Sequence, residues 1–232
     1  MAELSDERNG SRRSFKRLAR REVAALSLAG LVLLLVTAAA LAVTGDLTQP
    51  AGTAGCISET GAGPCADGHA LSPWDVAVSP DGKSVYVVSS GNTLGVARIN
   101  RDTTTGAIAQ PAGTAGCVSE TGAGPCADGH ALAYAEGVAV SPDGKSVYVA
   151  SDGSSAVARF NRNTTTGAIA QPAGSAGCVS QSGTGGTCAD GHGLGGASGV
   201  AVSPDGKSVY VASSSSSAVA RFNRNTTTGA IA

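Results

Sequence analysis

Large rings are scarce in this chain: one Trp, four Tyr and three Phe make only 3% of its 232 residues aromatic, and there is a single Met. That excludes a core of stacked aromatics and leaves thin layers of Val and Ala to fill any interior. Charge is also sparse at 14%, yet 42% of the residues are hydrophobic, which fits a globular chain and not a disordered one. Basic stretches interleaved with aromatics are missing, so nucleic acid is not an expected partner. A Gly-x-Ser-x-Gly elbow is missing too, and no local signature singles out a nucleophile. Glycine, by contrast, is abundant at 33 residues, which favours β-structure with many tight turns.

The one long apolar run lies at the N-terminus. Residues 11–17 read SRRSFKR, followed by an almost uncharged stretch from Val23 to Val43 that contains an Ala40-Leu41-Ala42 triplet. A basic segment, an apolar segment and a small-x-small site together read as a bacterial export signal, and Ser11-Arg12-Arg13-x-Phe15 resembles a twin-arginine signal. About 20 apolar residues also suffice to span a bilayer, so residues 1–43 read either as a cleaved signal or as a hydrophobic helix that anchors the chain in the membrane through residues 23–43. Both readings place the remainder outside the cytoplasm. The formal net charge is −1, but residues 1–42 hold seven of the 16 basic and four of the 17 acidic residues, so the exported part is mildly acidic.

Residues 44–232 form a tandem array. Ser-Pro-Asp-Gly-Lys begins at Ser79, Ser141 and Ser203, spaced by 62 residues, and Gly137–Ala170 matches Gly199–Ala232 at 32 of 34 positions. Within one unit, GVAVSPDGKSVYVAS (Gly137 to Ser151) reads as a hairpin, because Pro presets the turn and Gly accepts positive φ. AVARFNRN (Ala156 to Asn163) reads as a third strand, and AIAQ (Ala168 to Gln171) as a short fourth. A four-stranded meander cannot bury both faces alone, so neighbouring copies must stack on it, which makes the expected fold all-β with propeller-type blades at about 74–110, 136–171 and 198–232. The SPDGK-x-[VL]-Y-V pattern resembles the repeat of the YVTN and lactonase-like β-propellers. That resemblance implies the blade fold and, as one activity found among such proteins, lactone hydrolysis of the 6-phosphogluconolactonase type.

Three blades do not close a ring, since propellers use about four to eight. TGDLTQ (Thr44 to Gln49) aligns with the fourth-strand segment TGAIAQ, so the array starts on a fourth strand, while the last unit keeps its own GAIA. The chain therefore reads as part of a longer array, a non-functional remnant of one, or a protein that completes its ring by self-association.

Each unit also carries a cysteine stretch, in its second copy GCVSETGAGPCADGHAL (Gly116 to Leu132), which reads as a loop joining blades. Zinc could draw on Cys117, Cys126, His130 and Asp128, but structural zinc sites use much closer cysteine pairs. In an oxidising compartment the favoured reading is a local disulfide in each copy: Cys56 with Cys65, Cys117 with Cys126, Cys178 with Cys188. No metal or other cofactor is called for. An antiparallel meander puts these stretches at the same end as the serine-rich loops, so the candidate ligand face comprises Asp67 and His69, Asp128 and His130, and Asp190 and His192. The arginines Arg98, Arg101, Arg159, Arg162, Arg221 and Arg224 recur in or after the third strand and are expected to pair with acids of neighbouring blades. Near-identical copies favour a multivalent binding or scaffold module for an extracellular glycan, cell-wall component or protein. A lactonase-type hydrolase is the alternative, although repeated copies offer little division of labour for catalysis.

Overall fold

Short β-branched runs punctuated by fixed turns give each repeat its hairpins. In the Ser79–Lys83 turn the Ser79 hydroxyl donates to Asp81 Oδ1 at 2.6 Å, Lys83 N–H donates to the same oxygen at 3.1 Å, and Gly82 sits at φ +68°. The second turn of the repeat closes likewise around an Asp or Asn: Asp102 Oδ1 accepts from the N–H groups of Thr104 and Thr105, as Asn163 does from Thr165 and Thr166. These are side-chain-closed Asx turns, which explains why Ser-Pro-Asp-Gly and Asx-Thr-Thr-Thr-Gly recur as blocks.

A computed structural model describes residues 47–91 and 94–232 of the chain, and its folded unit is Gln49–Ala232. The export signal or anchor helix expected at residues 1–43 lies outside the described residues. Among those described, regular structure is β-strand with short 3-10 turns, and no helix is long and apolar enough to cross a membrane.

The strands are β1 (Ile57–Ser58), β2 (Ala66–Asp67), β3 (Pro73–Val78), β4 (Ser84–Ser89), β5 (Gly95–Arg101), β6 (Ile108–Ala109), β7 (Cys117–Ser119), β8 (Ala127–Asp128), β9 (Ala135–Val140), β10 (Ser146–Ser151), β11 (Ala156–Arg162), β12 (Ile169–Ala170), β13 (Cys178–Ser180), β14 (Ala189–Asp190), β15 (Ala197–Val202), β16 (Ser208–Ser213) and β17 (Ala218–Asn223). They make a two-stranded sheet β1-β2, a sheet β3-β4-β5-β7-β8 with β6 also on β5, its repeat β9-β10-β11-β13-β14 with β12 on β11, and a three-stranded sheet β15-β16-β17. The leading strands β3, β9 and β15 lie side by side, so the three main sheets stack around a common inner edge.

Where the sequence suggested one fourth strand, the outer position of the β3-β4-β5 and β9-β10-β11 sheets is divided. β6 pairs with Asn100 and Arg101 at one end of β5, and β7 pairs with Gly95, Val96 and Ala97 at the other. The cysteine stretch is thus no mere connection: it supplies half of the fourth strand and a fifth, β8, parallel to β7. The loop Gln110–Gly116 between the two halves carries the 3-10 turn Gly113–Ala115.

Burial follows the stacking. Tyr86, Val88 and Val96 of one sheet meet Val147, Val149 and Phe160 of the next, and Tyr148, Ala150 and Val157 meet Val209, Val211 and Phe222 beyond it. Each interface carries one tyrosine, so few rings suffice. A polar bolt runs through both: Tyr86 donates to Gly167 O at 2.7 Å and accepts from Arg162 Nε at 2.7 Å, while Arg162 Nη2 reaches both carboxylate oxygens of Asp81. Tyr148, Gly229, Arg224 and Asp143 repeat the bolt one sheet further on. Arg98 and Arg159 take another path, donating to Thr166 O and Thr228 O across the same interfaces.

Candidate functional site at the cysteine end of the sheets

The second half of the outer strand positions the site. β7 ends beside the β4–β5 connection, where Glu120 N–H donates to Leu94 O at 3.0 Å, and Gln181 N–H donates to Ser155 O in the next copy. Ser154 N–H in turn reaches Ala133 O at 3.3 Å. Cysteine modules and serine-rich loops therefore meet at one end of the sheets, opposite the Ser-Pro-Asp-Gly hairpins.

Each module is closed by a disulfide: Cys56–Cys65, Cys117–Cys126 and Cys178–Cys188. With these sulfurs bonded to each other, no thiolate remains as a ligand, and among the described residues no cluster of three or more His, Cys, Asp or Glu is arranged to hold a metal. Three disulfides fit an oxidising, extracellular or periplasmic setting.

Asp67, Asp128 and Asp190 stand exposed at the ends of β2, β8 and β14. His69 and His192 are exposed, whereas His130 is half-buried with Nε2 shut away beside Gly177, where an added Cβ would lie 3.1 Å from it. The repeat does not gather these side chains into one cluster; it clamps the backbone that carries them. Gln110 accepts from His69 N–H at 2.6 Å and donates to His69 O at 2.9 Å, and Gln171 does the same for His130. A glutamine 41 residues downstream thus fixes the first two Asp-Gly-His turns, a pairing that a local motif search has no means of seeing.

A second clamp was also hidden. Glu59 and Glu120 accept the N–H of Leu71 and Leu132, and in the third copy Gln181 accepts that of Leu194 at 2.6 Å. Because the neutral Gln performs the same service, the acceptor oxygen matters here and not the charge. Glu120→Gln is expected to leave the melting temperature within about 2 °C, whereas Glu120→Ala orphans a part-buried N–H and costs about 1–2 kcal/mol, both readable by thermal denaturation.

Between successive modules opens a cleft of about 210 Å³, lined by Glu59, His69 and Ala70 on one side and by Leu94, Ser119, Glu120, Thr121, Ala123, Gly124, Pro125 and Cys126 on the other. Two carboxylates converge on it, and the Ser119 hydroxyl is buried there with no partner among the described residues. Such a wall offers acceptors and a donor to a neutral, hydroxyl-rich ligand, with Leu94 and Pro125 as its apolar part. Leu94 is particular to this copy, since Ser155 and Ser217 occupy the corresponding positions. Near the inner edge the repeats also differ: Trp74, Glu136 and Ser198 occupy equivalent places on β3, β9 and β15. Burial, with the nearby Asp152 charge, holds the Glu136 carboxyl above the usual range. These exceptions to the repeat were readable in the sequence as departures from an otherwise constant pattern.

No family model matches the sequence, and no curated protein sequence matches it. Solved structures do. A protein of Bacteroides uniformis provisionally assigned as a 6-phosphogluconolactonase superposes with a TM-score of 0.53 at 18% identity, over 74% of this chain and 41% of that one. A Lactobacillus plantarum protein superposes with a TM-score of 0.50 at 20% identity, over 69% of this chain and 40% of that one. The chain thus spans about two fifths of the length of the structures it matches. At this identity the likeness is one of fold: stacked β-sheets of the kind found in lactonase-like propellers.

Proposed function

We propose that the chain is an exported or surface-held propeller-type module that binds a hydroxyl-rich extracellular ligand, a glycan or cell-wall polymer, through the cysteine end of its sheets. The observation that carries this reading is the cleft between successive disulfide-closed modules, with its convergent Glu59 and Glu120 and the unpartnered Ser119 hydroxyl. Disulfides and doubly clamped turns hold the rim rigid, so little ordering entropy opposes binding. Repetition of the module suits a polymer with repeating units, because several weak contacts on one chain raise the effective affinity.

Titration of the oxidised protein with purified cell-wall polysaccharides tests this by calorimetry, with Ala123→Trp as the partner variant. Ala123 is exposed on the cleft wall, so the indole fills the cleft without entering the core. Saturable binding by the wild type and at least tenfold weaker binding by the variant are expected. Equal binding by both would remove the cleft from the account, and no binding to any polymer would remove the function.

Lactone hydrolysis is a second reading, favoured by the assignment of the Bacteroides uniformis neighbour. It requires that the purified chain open a simple lactone faster than buffer, and that substitution of His130 abolish this without unfolding the protein.

A further inference from the structure

The two end sheets of the array each carry half of an interface that is complete between the inner ones. Tyr86 and Tyr148 are 0% exposed, but their equivalent Tyr210 is 39% exposed; Val96 and Val157 are 0% exposed, but Val219 is 72% exposed. On the opposite end, Trp74, Val76 and Val78 of β3 are more than half exposed beside an apolar cleft of about 230 Å³ that Ile57, Leu71 and Ile99 help to line. That cleft is the surface which, in the second and third sheets, receives the preceding tyrosine.

The polar bolt is split in the same way. Asp205 and Tyr210 repeat Asp81 and Tyr86, yet no arginine reaches them among the described residues. Arg101 repeats Arg162 and Arg224, keeps their bond to the hairpin carbonyl at Gly82 O, and is not among the arginines that form an ion pair with a preceding sheet.

Strand edges complement each other as well. Among the described residues, the Ala218–Ala220 edge of β17 has no β7-type strand like those that cover Gly95–Ala97 and Ala156–Ala158, whereas β1 is such a strand and has no third-strand partner. Set in the register of the other copies, Ser58 would oppose Ala218 and Ile57 would oppose Val219.

We propose that this chain associates head to tail with a second copy of itself, the β17 face of each docking on the β1–β3 face of the other, with Arg101 of one copy on Asp205 and Tyr210 of the other. The occupant is specified by the chain itself, because apolar face, ion pair and strand edge all match in kind and position those already formed between its inner sheets. Such a heterologous contact either closes into a ring or runs on as a filament. Closed propellers hold about four to eight blades, and two copies of these three sheets make six.

Analytical ultracentrifugation of the oxidised 232-residue chain and three variants tests the proposal. Wild type should sediment as a dimer. Arg101→Glu, Asp205→Arg and Val219→Glu all alter residues of the end faces, so the variants should keep native circular dichroism while dissociating at least tenfold more readily. The double variant R101E/D205R should recover association, because it restores an opposite-charge pair with its ends exchanged. A monomeric wild type overturns the proposal, leaving both faces to another partner. So does a dimer indifferent to the end-face substitutions, and so does an open-ended series of larger assemblies.

Discussion

Replacing Arg162 with Ala should lower stability by about 2–4 kcal/mol, because it leaves the Tyr86 hydroxyl and the Asp81 carboxylate without their buried partner. Arg162 is 1% exposed in its side chain and joins two sheets through Tyr86, Asp81, Ser84 and Gly144 at once. Urea denaturation read by far-UV circular dichroism measures the loss, with Arg101→Ala as the contrast. Arg101 keeps the equivalent bond to its own hairpin carbonyl but joins no preceding sheet among the described residues, so at protein concentrations low enough to keep copies apart its change should fall within about 1 kcal/mol. Equal losses at both positions would show that the bolt does not carry the stacking.

The same bolt sets an acid limit. Burial pushes the Asp81 carboxyl upward, but hydrogen bonds from Ser79, Arg162 and Lys83 N–H outweigh it and hold the group at about 2 against an ordinary 3.8. Burial and the matching bonds from Ser141, Lys145 N–H and Arg224 act on Asp143, which is lowered as well. A carboxylate depressed in the fold contributes stability that is complete above its unfolded value and is lost as pH falls through its folded one. The Arg162-dependent difference should therefore be full at pH 5 and shrink between about pH 4 and 2.

Removing one disulfide as a Cys117→Ser/Cys126→Ser pair should cost about 2–3 kcal/mol from the chain entropy of so short a loop. Loss at this position should extend beyond the module, since β7 and the Glu120 clamp on Leu132 both depend on it, and Leu132 is 0% exposed in the core between sheets. Thermal melting of the double variant, and of wild type with and without reductant, reads the effect. A reduced protein that melts with the oxidised one would place the module outside the cooperative fold.

Hairpins, repeat phase and disulfides were legible in the sequence because each rests on a local signal: turn residues at fixed offsets, alternation, and evenly spaced cysteine pairs. The expectation that arginines reach neighbouring copies also fits Arg162 on Asp81 and Arg224 on Asp143. The division of the fourth strand was not legible. Cys117–Ser119 is only three residues long, too short for a period, and its pairing with Gly95–Ala97 is selected by the sheet already in place. The Gln110 and Gln171 clamps act over 41 residues and the tyrosine bolts over 76, distances at which near-identical copies conceal which one is the partner. The 210 Å³ cleft was hidden for the same reason: it lies between modules and is a property of neither alone.

The cysteine stretch is the outer edge of the sheets built on β5 and β11 and not a loop, and hydrogen–deuterium exchange resolved to single amides tests this most directly. Glu120 and Gln181 donate to Leu94 and Ser155, and Arg98 and Arg159 donate to the carbonyls of Gly116 and Gly177. These four amides are predicted to exchange at least a hundredfold more slowly than Thr121, which follows Glu120 at the loop tip. Exchange of Glu120 and Gln181 as fast as Thr121 would contradict the account, returning the module to a tethered loop and the cleft to a chance arrangement.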